Sequence, residues 1–185
     1  MCKARLVAGL LTVALVTAPW ISVSSALAAS AAEINRDAND ALAKLYGKVP
    51  EARTLSAKAK GILIFPSIVK AGFIFGAQYG EGVLRRQGKN TGYYNTVSAS
   101  YGLQAGVQSF GYVLFFMTDS ALAYLSKSEG FEIGVGPSIV VLDEGKAKTL
   151  TTTTGQSDIY AFIFDQKGLM AGLGIQGSKI SRMDK

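Results

Sequence analysis

The chain's apolar period changes from helical to strand-like near Gly61, and that change limits the folds open to it. Ahead of Gly61, the residues Ile34, Ala38, Ala41, Leu42, Leu45 and Tyr46 recur at helical spacing, with Glu33 and Asp37 early, Lys44 late and Gly47 as a stop. Pro50 suits the first turn of a second, shorter helix, and Gly61 suits its exit. From Ile62 the period is two. Phe73, Phe75, Ala77 and Tyr79 alternate with Ile74, Gly76 and Gln78, while Gln87-Gly88-Lys89-Asn90 supplies turn chemistry. Asp143-Glu144-Gly145-Lys146 and Asp165-Gln166-Lys167-Gly168 read as further hairpin turns, and the β-branched run Thr149 to Thr154 reads as a strand. One helix interrupts the strands at Thr118 to Lys127, where Thr118, Asp119 or Ser120 can cap and Ala121, Leu122 and Leu125 share a face.

Glycine sharpens the expectation. The chain has 21, concentrated in strand-like segments such as Gly102, Gly106, Gly134, Gly136, Gly172 and Gly174. A glycine inside a strand admits a close neighbour and permits bending. The expected class is α+β: a strongly curved antiparallel sheet or partly closed barrel, with N-terminal helices and one inserted helix.

Residues 1–28 stand apart from this pattern. Lys3 and Arg5 precede an apolar run from Leu6 to Ala18, and small residues follow, which reads as a secretory signal peptide. Ala26-Leu27-Ala28 places cleavage after Ala28, with Ala29-Ser30-Ala31 as the alternative. The uninterrupted run is shorter than the ~20 residues of a membrane span, and Pro19 breaks its continuation. Cys2, the only cysteine, lies upstream of the apolar run and leaves with the leader, so no lipid anchor or disulfide is expected. Residues 29–185 are then one exported domain, most simply periplasmic and peripheral on a membrane.

Loss of Lys3 and Arg5 lowers the formal net charge from +6 to +4. Its distribution is uneven. Lys44 to Lys89 holds nine basic residues against Glu51 and Glu81, whereas the chain from Asn90 onward is close to neutral. Such a segment is either a solvated face or a patch that meets anionic surfaces.

Catalytic signatures are lacking. The chain has no histidine, which removes the commonest general base and metal ligand and every triad built on it. Asp119, Asp143, Glu144, Asp158 and Asp165 sit where caps and turns need carboxylates. Gly172-Leu173-Gly174-Ile175-Gln176-Gly177 fits a dinucleotide fingerprint, but too little chain follows to build its helix and second strand. Gly82 to Asn90 has a phosphate-loop flavour with the wrong spacing, and a lysine-tipped hairpin explains it better. Tyr93, Tyr94 and Tyr101 could stack on bases, yet aromatics favour strands in any case, and export argues against a nucleic-acid partner. The expectation is a non-enzymatic protein that uses no cofactor and no metal.

The segments Ala59-Lys60-Gly61-Ile62-Leu63-Ile64-Phe65-Pro66, Lys70-Ala71-Gly72-Phe73-Ile74-Phe75-Gly76 and Gly80-Glu81-Gly82-Val83-Leu84 together resemble the opening of the SYLF domain. Ser100 to Gln108, Gly134-Val135-Gly136-Pro137 and Gly168 to Ser178 follow in that family's order, so the resemblance runs from about Asp37 to Lys179. SYLF domains are linked to membrane lipids and, in some eukaryotic members, to actin filaments. For an exported chain the resemblance implies an affinity for anionic phospholipid surfaces. Lys58, Lys60 and Lys70 fall within the matching block and Arg85, Arg86 and Lys89 just after it, and these six form the expected lipid-binding set. The alternative is a non-catalytic envelope scaffold that engages a protein partner.

Overall fold

The computed structural model describes residues 29–72, 75–101, 106–127, 131–132, 136–143, 145, 157–168 and 178–185. The leader, the strand expected at Thr149 to Thr154 and the run from Gly172 to Gly177 lie outside these residues. Among them are three helices and eight strands.

Helix α1 (Ala31–Lys48) opens on a capping box: the Ser30 hydroxyl accepts from the Glu33 N–H at 3.2 Å, and the Glu33 carboxylate accepts from the Ser30 N–H at 2.8 Å. Gly47 does not stop it. The helix runs one residue further and ends at Val49, because a residue that precedes proline avoids helical backbone. Pro50 then opens α2 (Pro50–Lys58), which ends three residues short of Gly61. No described helix is long and apolar enough to cross a membrane.

The strands are β1 (Gly61–Gly72), β2 (Phe75–Arg86), β3 (Lys89–Tyr101), β4 (Gly106–Phe116), β5 (Phe131–Glu132), β6 (Ile139–Asp143), β7 (Ile159–Gly168) and β8 (Lys179–Met183). They form one sheet in the order β5-β8-β3-β2-β1-β4-β7-β6. This order is open. Its end strands are only two and five residues long, and each pairs with one neighbour, so among the described residues the sheet does not close into a barrel. The pairs are antiparallel except β6 with β7, which are parallel; the hairpin expected from Asp143-Glu144-Gly145-Lys146 into Thr149 to Thr154 lies largely outside the described residues. Gln87 and Gly88, both with positive φ, make the two-residue turn between β2 and β3 that the sequence announces.

Asp165-Gln166-Lys167-Gly168, expected as a turn, is instead the end of β7. Asp165 adopts φ 52° where the β4–β7 register shifts, so the turn-like residues serve a bulge.

Alternation along the strands gives the sheet two apolar faces. Ile64, Val83, Val113, Phe115, Phe162 and Phe164 point toward α1 and pack against Ile34, Ala38, Leu42 and Leu45. Leu63, Phe65, Tyr112, Leu114, Phe116 and Ile163 point the other way, where α3 (Asp119–Leu125) covers part of them with Ala121, Leu122 and Leu125. The inserted helix thus forms where expected, capped by the Thr118 hydroxyl on the Ala121 N–H at 3.2 Å.

Asp158 ties this helix to the sheet. Its carboxylate accepts from the Ser138 hydroxyl at 2.8 Å, the Ser138 N–H at 3.0 Å and the Thr118 hydroxyl at 3.2 Å. The two Ser138 donors, opposed by a small desolvation effect and helped by Thr118, hold this carboxyl below the usual aspartate range. A depressed folded pKa contributes stability that is present above the unfolded value of ~4 and is lost as pH falls through the folded one. Asp158→Asn is therefore expected to melt below wild type at neutral pH, and the gap to narrow as pH drops below about 4. Melting temperatures of both proteins across that range check this; a gap independent of pH would refute it.

Candidate functional site

The end of α2, the start of β1, the end of β2 and the start of β3 meet at one end of the sheet. The Lys60 N–H donates to the Phe116 carbonyl at 2.8 Å, Ile62 lies opposite Arg85, and Arg86 lies opposite Lys89. Five of the six expected residues, Lys58, Lys60, Arg85, Arg86 and Lys89, are thereby carried to this end. Lys58, Lys60, Arg86 and Lys89 are exposed. Arg85 is half-buried and partly committed: its guanidinium donates to Asn39 on α1 and to Asn90 on β3, each at 3.0 Å.

Lys70 departs from the expectation. It is only 5% exposed, near the other end of β1, on the sheet face turned away from α1. Gln78 on β2 and Gln108 on β4, both buried, are its cross-strand neighbours. The bulge after Ile64 is the physical reason. It shifts the alternation of β1, so that Ile68 and Lys70 turn inward while Ser67 and Val69 turn outward.

A second basic cluster escaped the sequence reading. Asp165 on β7 is ringed by Lys44 at 3.3 Å and Lys48 at 3.9 Å from the last turns of α1, and by Lys167 at 3.6 Å. Although burial opposes ionisation, the Lys44 hydrogen bond and the charges of Lys167, Lys44 and Lys48 hold Asp165 below the ordinary aspartate range. Three cations around one carboxylate leave a net positive cluster. Lys44 and Lys48 were legible as one turn of a helix face, but their pairing with a strand residue more than a hundred positions away was not.

The other polar groups have structural partners. Glu81 accepts from Lys185 at 2.9 Å and from the Tyr79 hydroxyl at 2.7 Å, which ties the C-terminal residue to β2. Asp143 accepts from the Gly145 N–H at 3.0 Å, as a turn carboxylate does. Tyr94 is buried in the core, and the half-buried Tyr93 hydroxyl accepts from Asn35 at 3.0 Å, so these two tyrosines serve sheet packing. The side chain of Tyr101 lies outside the described residues. Among the described residues, no three His, Cys, Asp or Glu side chains gather as a metal site would require.

Fold and surface together define an α+β module whose prominent exposed chemistry is basic. Residues 97–185 match the family model described as "Ysc84: Las17-binding protein actin regulator". The SYLF resemblance is borne out by this Ysc84/SYLF match. The chain is also similar to "Protein YSC84" of Saccharomyces cerevisiae, 29% identical over 132 residues that cover 66% of this chain. The chain spans 28% of that relative's length.

Proposed function

We propose that this protein is an exported, non-enzymatic module that associates with anionic phospholipid surfaces through exposed basic side chains. In this reading residues 1–28 are a signal peptide, residues 29–185 are one domain, and the product is periplasmic and peripheral on a membrane. The observation that carries it is the convergence of Lys58, Lys60, Arg86 and Lys89 at one end of the sheet, exposed and served by three different elements and a turn. Each such side chain near an anionic surface contributes about 1 kcal/mol, so four acting together suffice for useful attraction before screening.

Vesicle sedimentation tests this. The protein is expected to bind vesicles containing phosphatidylglycerol, to ignore purely phosphatidylcholine vesicles, and to bind less as salt rises, since exposed charges are screened over about 10 Å at 0.1 M. Replacing Lys58, Lys60, Arg86 and Lys89 together by glutamine should remove most of the salt-sensitive binding with little change in melting temperature. Arg85 is left in place because it holds α1 to the β2–β3 turn. Equal binding to both vesicle types, unaffected by salt, would exclude the reading.

One finding favours a second reading. The matching family is described by a protein partner and by actin regulation, so a protein-interaction module on the same scaffold is the competing function. A protein that ignores anionic vesicles but retains a specific protein partner would select it.

A further inference from the structure

Helix α1 covers only part of the sheet face on which it lies. Beyond its margin, cross-strand partners line up in one row: Lys179 on β8, Val97 on β3, Tyr79 on β2, Val69 on β1, Ser109 on β4 and Lys167 on β7. At 4.8 Å between strands, these six positions span ~24 Å. The strand period brings alanines and Val107 to the next row on the same face, with Phe75 beyond. Val69, Tyr79 and Val97 are 47%, 48% and 48% exposed, Val107 is 59% and Phe75 is 75%.

A contiguous exposed apolar face of this kind marks an interaction surface. Its rim identifies the partner. Lys179 and Lys167 close the row at its two ends, both exposed, and Lys44 and Lys48 stand beside Lys167 around Asp165. Of the carboxylates on the α1 side, Glu81 is engaged by Lys185 and by the Tyr79 hydroxyl, Asp165 is outnumbered by its three lysines, and Glu132 lies opposite Lys179. The face therefore offers an apolar centre with cations at its margin. A lysine can lay its apolar stem along such a surface while its ammonium stays at headgroup depth.

We propose that this lysine-rimmed face seats in the surface of an anionic bilayer. Val69, Val97, Val107 and Phe75 enter the boundary between headgroups and acyl chains, and Lys167 and Lys179 meet lipid phosphates. The assignment rests on the anionic-membrane reading above and names the surface that anchors the protein. It is distinct from the basic end that carries Arg86 and Lys89, which lies at the opposite end of β2. The basic end supplies long-range attraction, and the apolar face supplies the contact that salt does not screen.

Sedimentation with phosphatidylglycerol-containing vesicles at low and high salt separates the two. The variant Val69→Thr, Val97→Thr, Val107→Thr, Phe75→Ser keeps β-branched residues at three strand positions. It is expected to lose the salt-resistant fraction and to bind more than roughly tenfold more weakly than wild type. As a second measurement, Val107→Trp provides a single indole in residues 29–185, because the chain's one tryptophan, Trp20, lies in the leader. Its fluorescence should shift to the blue on binding and be quenched by brominated acyl chains. Both results support the assignment. Wild-type binding by the fourfold variant at both salt levels, or an indole that brominated lipid does not quench, overturns it while the membrane reading stands. Wild-type protein that ignores anionic vesicles ends both. A wild-type dimer that the fourfold variant abolishes, with vesicle binding unchanged, assigns the face to a second copy and also overturns it.

Discussion

Replacing Gly82 by valine is expected to cost more stability than any surface change in this protein. A Cβ at this position in β2 would lie 2.4 Å from the Ile64 carbonyl oxygen and 2.6 Å from the Phe65 ring. Neither neighbour can give way easily, because the oxygen belongs to the backbone and both residues are completely buried beside the β1 bulge. Overpacking of this kind costs about 3 kcal/mol, with further loss if the β1–β2 pairing breaks. For a domain of this size that corresponds to a fall in melting temperature on the order of 10 °C. Gly47→Ala gives the opposite sign. No atom lies within 4 Å of its added methyl, and alanine is favoured over glycine by roughly 0.5–1 kcal/mol in a helix interior, an upper bound for Gly47 in the last turn of α1. Thermal unfolding of the two variants checks both, and a Gly82→Val protein that melts with wild type would show that the β1–β2 approach is looser than described.

Phe115→Ala should follow closely in magnitude. Phe115 is completely buried, its ring meets Phe162 edge to face at a centroid distance of 5.5 Å, and it belongs to the cluster that receives α1. Truncating a buried phenylalanine costs about 3–5 kcal/mol, as lost transfer energy and an unfilled cavity together. The expected result is a lower denaturant midpoint with an unchanged slope. A loss below about 1 kcal/mol would mean that α1 collapses into the space and that this layer packs loosely.

How much of this was legible depends on the range of the interaction. The buried stripe Ile34, Ala38, Ala41, Leu42 and Leu45 was readable because a helix writes its buried face into its own period. The α3 cap and the Gln87-Gly88 turn were readable for the same reason: each is a local contract between adjacent residues. Asp165 misled because aspartate and glycine suit an αL bulge as well as a turn, and only the register against β4 distinguishes them. Lys70 misled because a bulge earlier in β1 reverses which residues face inward. The apolar face was hidden for a third reason. Val69, Tyr79 and Val97 carry the alternation of buried strand residues, and nothing in that alternation tells where along the strand the covering helix stops.

The order of the sheet also has a consequence for the time before folding is complete. β3 pairs with β2 along one edge through a short turn, but its other edge is taken by β8, the last of the described strands, from Tyr93 opposite Met183 to Val97 opposite Lys179. A nascent chain presents its residues from the N-terminus, so the β1–β2–β3 meander can assemble while the outer edge of β3 still has no strand to meet it. That edge carries tyrosine, threonine and valine, the composition that templates further strands. A delay or early termination ahead of Lys179 would leave the edge open to another chain in the same condition. The five residues of β8 thus guard against aggregation during biogenesis, a service to the cell separate from any ligand the finished domain holds.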